Sequence, residues 1–389
     1  MIRISTLFFL ICLCSGGVLA QTAPVTGLRD NTPGVHAFTN ARIVVAPGRV
    51  IASGTLVIRD GVIEAVGDRI TPPADARIWN MEGLTLYAGL IDLYSDYGIP
   101  KPPQQQQSPF DFSAPPPQPE KPKGAAHWNA KVKADYDVSE EFQADAKAAE
   151  QLRSQGFTLV VATPQLGVFR GQTALVNLGD GPASGLIVKR RVAHAITFYQ
   201  EGGFFSGYPN SLMGIIAFIR QTWLDADWYR KAWDSFSKNP NQTRPETNTS
   251  LAALQDAVQG RQPGVMEAND DLSFFRAARI GKEFSLNLWV RGSGEEYRRL
   301  DAVKAARVPV IVPVNFPESP SVETPEEALN VSLEDMRHWD AAPENAGRLE
   351  KAGVPIALTA AQLKDAGTFL AQVRKAVERG LSADGALTA

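Results

Sequence analysis

Leu86-Tyr87-Ala88-Gly89-Leu90-Ile91-Asp92-Leu93-Tyr94-Ser95-Asp96-Tyr97 is an apolar run that closes on carboxylates, a phenol and a hydroxyl. Such a run reads as a buried strand whose C-terminal end opens into a pocket. At that end the chain offers Asp92, Tyr94 and Asp96, and no imidazole.

On its N-terminal side the pattern is one of short strands. Residues 37–45, 54–59, 62–67 and 76–79 each read as β, and Asp60-Gly61 joins the second to the third as a tight hairpin, because that dipeptide accepts the positive φ the turn needs. Residues 36–86 thus form a small β module with too few strands to bury two faces alone. It needs a partner sheet.

On the other side, residues 99–124 hold prolines at 100, 102, 103, 115–117, 119 and 122, with glutamines at 104–107. A segment of that composition builds no core and reads as an exposed, partly polyproline-like loop at the pocket end of the strand, either a surface insertion or a lid. Beyond it strand and helix alternate. Strands are expected at residues 156–163, 174–178, 185–188, 264–268, 286–290, 308–314 and 354–359, and helices at 141–155, 211–236 (capped by Asn210), 271–284, 294–306, 325–339 and 345–352. Near-continuous apolar strands separated by helices imply a parallel sheet covered by helices. A (β/α)8 barrel over residues 87–389 is favoured over an open doubly wound sheet, since no glycine-rich turn follows a strand in dinucleotide-binding fashion; Gly202-Gly203 and Gly292-Ser293-Gly294 are too sparse.

Composition narrows the functional classes. The chain has 389 residues, 44% hydrophobic and 21% charged, which suits a globular protein with a large core. With a formal charge of −3 and no basic block outside Lys189-Arg190-Arg191, nothing favours nucleic acid or an anionic membrane as a partner. Arg3, the apolar run from Leu7 to Leu13 and the Val18-Leu19-Ala20 end read as a secretory signal peptide cut after Ala20, leaving residues 21–35 as a linker and a secreted or periplasmic protein with no membrane span. An uncleaved anchor is the competing reading, and a lipoprotein at Cys14 is disfavoured by the bulk of Leu13. Both cysteines, Cys12 and Cys14, fall in the segment to be removed, so disulfides, a cysteine nucleophile and thiolate-bound metals are excluded for the mature chain.

In a barrel the pocket is lined from the C-terminal ends of strands. Those positions are Asp92, Tyr94, Asp96, Asn177, Glu267, Arg291, Asn315 and Thr359 to Ala361. The four histidines, His36, His127, His194 and His338, have no metal-ligand spacing. Asp96 and Glu267 are the best carboxylate pair, suited to a hard cation or to acid–base work; the bland alternative is an ion pair with Arg291 or another basic group.

Three blocks together carry a resemblance: 39–44, 54–67 and Ala88-Gly89-Leu90-Ile91-Asp92. In order and spacing they look like the opening of an amidohydrolase of the imidazolonepropionase-like branch, and the similarity continues through 156–158, 171–174, 208–214, 283–284 and 353–358. The resemblance implies a metal-dependent (β/α)8 barrel with a flanking β-sandwich built from both chain ends, which hydrolyses C–N bonds using zinc or another divalent ion. Carried over residue by residue, it does not return the family's ligand set. The His-x-His falls on Tyr94 and Asp96, the carboxylated lysine on Asn177, one strand-end histidine near Glu267, another near Val314 or Asn315, and the closing aspartate on Ala360 or Ala361. Residues 381–389 resemble the start of the last barrel helix, without the closing sandwich strands. The resemblance is therefore to the ligand-poor N-terminal half of a tandem amidohydrolase. It implies a C-terminal amidohydrolase domain or partner chain as the active element, a barrel incomplete at its C-terminus, and a small-molecule substrate of unknown identity.

Overall fold

A computed structural model describes residues 34–100, 124–199 and 207–389. The expected signal peptide, and the proline- and glutamine-rich loop between residues 101 and 123, lie outside the described residues. Among the described residues no helix is long and apolar enough to cross a membrane. The described residues form two compact units, one from 34–43 and Ile51–Leu86, the other from Val44–Val50 and the described residues from Tyr87 on.

The smaller unit is a sheet of β1 (Val35–Ala46), β2 (Arg49–Arg59), β3 (Val62–Gly67), β4 (Arg77–Asn80) and β5 (Thr85–Tyr87). Its order is β3-β2-β1-β4, with β5 also on β1. The expected hairpin forms: β2 and β3 pair antiparallel, and Asp60 and Gly61 take φ of 50° and 79°. Both values are positive, as a type I′ turn requires. Val35, Ala37 and Val57 make its small buried cluster.

The larger unit holds two sheets. One has the order β10-β9-β7-β6 and the other β15-β14-β13-β12-β11-β8. Their strands are β6 (Leu90–Ser95), β7 (Phe157–Ala162), β8 (Phe169–Gln172), β9 (Ala174–Asn177), β10 (Ile187–Lys189), β11 (His194–Thr197), β12 (Gly264–Glu267), β13 (Leu288–Arg291), β14 (Val310–Pro313) and β15 (Ile356–Thr359). β11 to β15 run parallel in sequence order, as do β6 and β7.

The sheet is not all parallel as expected. β9 lies antiparallel to β7 and β8 antiparallel to β11, while only Thr173 separates β8 from β9. One bent segment therefore serves both sheets. The six residues between Ala162 and Phe169 leave no room for the dozen or more that a parallel crossover needs, so the chain can only turn back on itself. Thr359, at the end of β15, bonds the Asp92 side chain and the Tyr94 carbonyl of β6, linking the outer strands of the two sheets.

The helices differ from expectation at their ends, where short polar side chains decide. α1 (Ala146–Ser154) starts five residues later than expected because Asp145 caps the amides of Lys147 and Ala148. α2 (Leu212–Lys238) is capped by Ser211 rather than Asn210, its hydroxyl taking the Gly214 amide at 3.2 Å. After α3 (Asp271–Glu283), a 3₁₀ turn over Glu296–Arg299 precedes α4 (Leu300–Ala306). The single helix expected at residues 325–339 is two, α5 (Pro325–Asn330) and α6 (Leu333–Ala341), because Ser332 caps a new start. α7 (Asn345–Lys351), α8 (Phe369–Glu378) and α9 (Ala383–Thr388) complete the chain.

Phe218, Ile219 and Trp223 of α2 and Phe274 and Ile280 of α3 are buried with Met266, Val290 and Val312 of the strands in one core. Each such side chain contributes about 1.5–3 kcal/mol on leaving water. That core fixes the strand ends from which the site is built.

Candidate functional site

β6 leads into the site through Asp92, which is 1% exposed. Its carboxylate accepts from the Thr359 hydroxyl at 2.6 Å, the Tyr94 amide at 3.0 Å and the Ala360 amide at 3.1 Å. Burial nevertheless dominates and pushes the carboxyl up, to about 6. Asp92 thus ties β6 to β15 with both oxygens.

Two residues on, the buried Tyr94 hydroxyl accepts from Arg170 Nη1 at 3.0 Å and sits 3.5 Å from Glu267 Oε2. Burial pushes this phenol up to about 12, so it remains protonated across the physiological range. Glu267, the last residue of β12, is the hub. Its Oε2 lies 2.7 Å from Arg170 Nη1 and 3.3 Å from the Thr197 hydroxyl of β11, while Oε1 bonds Arg291 Nη2 from β13. Burial opposes the charge on Glu267, but Arg291 and Arg170 outweigh it and hold the carboxyl below its ordinary value.

The two arginines are themselves buried, Arg170 at 4% and Arg291 at 1% exposure. Arg291 also donates to Asn269 Oδ1 at 2.8 Å and to the Gly292 carbonyl at 3.0 Å, and its guanidinium lies 5.6 Å from the Tyr94 ring centre. The Nε of each arginine has no partner among the described residues. The result is a clamp of two guanidiniums on one carboxylate at the strand ends.

The remaining expected positions scatter. Asp96 is exposed and shares with Asp92 and Glu267 the wall of a cleft of about 480 Å³, but Glu267 spends its oxygens on the arginines rather than joining Asp96 as a ligand pair. Asn177 stands at the far end of the strands. β9 runs against β7 and sets Asn177 opposite Leu159, near the β7 start, where its side chain takes the Gly179 amide at 2.7 Å. Asn315 donates to Gln362 Oε1 at 3.3 Å, beside the cleft. Arg170 went unnoticed in sequence because β8 was not recognised as a strand. An arginine flanked by Phe169 and Gly171 has no periodicity to reveal it.

None of the histidines joins this site. His36 accepts from the Trp79 indole, His127 from the Asn129 amide, and His338 lies 3.0 Å from the Tyr297 hydroxyl. His194 opens β11, is 0% exposed, and among the described residues neither ring nitrogen has a partner. Among the described residues there is no group of three or more His, Cys, Asp or Glu side chains that could hold a metal. The donor set around Glu267 does not fit a divalent cation: two guanidiniums already occupy its oxygens, and a second cation there would be repelled by both.

No protein-family profile matches the chain, and no curated protein matches it. Solved structures do. The amidohydrolase from Thermotoga maritima MSB8 aligns at 20% identity over 90% of this chain and 86% of that one, with a TM-score of 0.68. A putative prolidase from Bifidobacterium longum aligns at 13% identity over 92% and 82%, TM-score 0.48. The A. niger ochratoxinase aligns at 14% identity over 91% and 82%, TM-score 0.44. The chain shares its fold with the Thermotoga protein. The likeness expected from residues 54–67 and 88–92 therefore holds at the level of the fold, shared with the Thermotoga protein over most of both chains.

Proposed function

We propose that the larger unit closes as an eight-stranded barrel of amidohydrolase type whose pocket binds a ligand without metal-dependent hydrolysis. β6, β7, the bent β8–β9 segment and β11 to β15 would make the ring, supported by the bonds between Thr359 and β6. Hydrolysis of C–N bonds is the class activity the fold brings to mind. The clamp of Arg170 and Arg291 on Glu267 is the observation against it in this segment. An activated water needs a Lewis acid and a free base, and here both oxygens of the only carboxylate in the clamp are neutralised by fixed cations. A binding or structural role, alongside a catalytically active partner domain in a secreted assembly, fits these residues better.

The purified chain is to be loaded with zinc, desalted and analysed for metal, then assayed against N-acyl amino acids and dipeptides. Substoichiometric zinc and no turnover are expected. Stoichiometric zinc together with hydrolysis that chelation abolishes would overturn the reading.

A further inference from the structure

We infer that the polar chamber beside the clamp is a binding site for a small hydrophilic organic acid, a sugar acid by chemical class, with its carboxylate on the guanidiniums of Arg170 and Arg291. This rests on the clamp being a cationic site and not a metal site. The chamber has a volume of about 400 Å³ and is walled by Gln165, Tyr199, Asn269, Ser293 and Gln362 beside the clamp. That size lies in the range of small-molecule sites.

Charge supplies the first argument. Among the described residues, Arg170, Glu267 and Arg291 are the only charged side chains in the wall, so two guanidiniums face one carboxylate and one positive charge is left over. Asp92 and Asp96 line the adjoining cleft instead, and Asp92 has both oxygens committed to Thr359, Tyr94 and Ala360. A buried cation in excess is costly unless an anion meets it. A carboxylate does so in the planar, two-pronged way a guanidinium favours.

The rest of the wall says what the anion carries. Asn269 gives its carbonyl to Arg291 and Gln362 gives its own to Asn315, and among the described residues the amide nitrogens of both have no partner. Gln165 donates to the Thr163 carbonyl at 2.8 Å, which leaves its carbonyl as an acceptor. Ser293 adds a hydroxyl, and among the described residues Tyr199 is the one aromatic ring. Among the described residues no aliphatic side chain lines the chamber, so an alkyl acid would find little apolar contact there, whereas several hydroxyls would find donors and an acceptor.

The test is calorimetric titration of the purified chain, in excess chelator, with D-gluconate, with D-glucose as the neutral counterpart and with inorganic phosphate. Gluconate is expected to bind saturably with one site per chain, and glucose at least about tenfold more weakly. Arg170→Gln is expected to weaken gluconate by about tenfold or more. Asn269→Asp, which sets a carboxylate beside Arg291 without removing a clamp residue, should do the same, and it keeps the test valid if the first variant fails to fold. No binding at millimolar gluconate, equal binding of glucose, tighter binding of phosphate, or unchanged affinity in a folded variant would each overturn the proposal. Because chelator is present throughout, zinc-dependent turnover would defeat the non-hydrolytic reading while leaving this measurement intact.

Discussion

Glu267 is the side chain on which the site's electrostatics turn, since among the described residues it alone forms ion pairs with the two buried guanidiniums. Glu267→Gln keeps the shape but removes the charge, and should cost about 3–5 kcal/mol of stability in urea unfolding by leaving both cations uncompensated. A loss below about 1 kcal/mol would show that water already screens the clamp. His194 makes a second case. Burial without a partner holds its imidazole down, to about 3. A depressed value in the folded state means that the unfolded chain takes up a proton first as pH falls below about 6.5, so stability is full above that point and drains away toward acid. Asp92 works in the opposite sense: its folded value is raised from 3.8 to about 6, so the stability it lends is present below the lower value and lost as pH rises through the upper one. In His194→Phe the acid-side loss should shrink. Comparing urea midpoints of variant and parent at neutral pH and at about pH 4.5 isolates this, because any packing cost is common to both conditions. Equal differences at the two values would refute the assignment.

Among the elements, the bent β8–β9 segment decides most. Gly171 within it has φ of 111°, and a Cβ there would lie 2.4 Å from the Tyr136 carbonyl oxygen. Gly171→Ala should therefore cost about 2 kcal/mol or more, read from the urea midpoint, and a change under about 0.5 kcal/mol would mean that the backbone relaxes freely. This segment is also where sequence reading fell short. Strands β12, β14 and β15 announce themselves through unbroken apolar residues between helices, and the three blocks around Gly54 to Asp92 carry the family likeness. β8 and β11 do not, because Phe169-Arg170-Gly171-Gln172 and His194-Ala195-Ile196-Thr197 mix charge, imidazole and hydroxyl with apolar groups. Their strand character comes from neighbours on both sides, a tertiary effect that short-range pattern cannot carry. Arg170 and Thr197 were missed with them. Asn177 was misplaced for a related reason: strand direction is set by the length of the preceding connection, and once that connection is a turn the residue points to the other end.

For the molecule as a whole, a shared fold does not by itself imply a shared chemistry. The alignment with the Thermotoga amidohydrolase spans most of both chains, yet the residues at the strand ends are a phenol, two guanidiniums and a carboxylate bound between them. Stability should then be independent of metal. An ion bound only by the folded state at a hundred times its Kd adds about 2.7 kcal/mol, so thermal midpoints with chelator and with added zinc should coincide, and a rise of several degrees with zinc would contradict this. The reversed β9 strand has a practical consequence as well. Leaving Asn177, the chain passes through Asp180, Gly181 and Pro182, which are open to solvent on the side remote from the clamp. A reporter peptide spliced into that hinge could be carried by the protein with its ligand chamber undisturbed, which makes the loop a natural attachment point for labels and fusions.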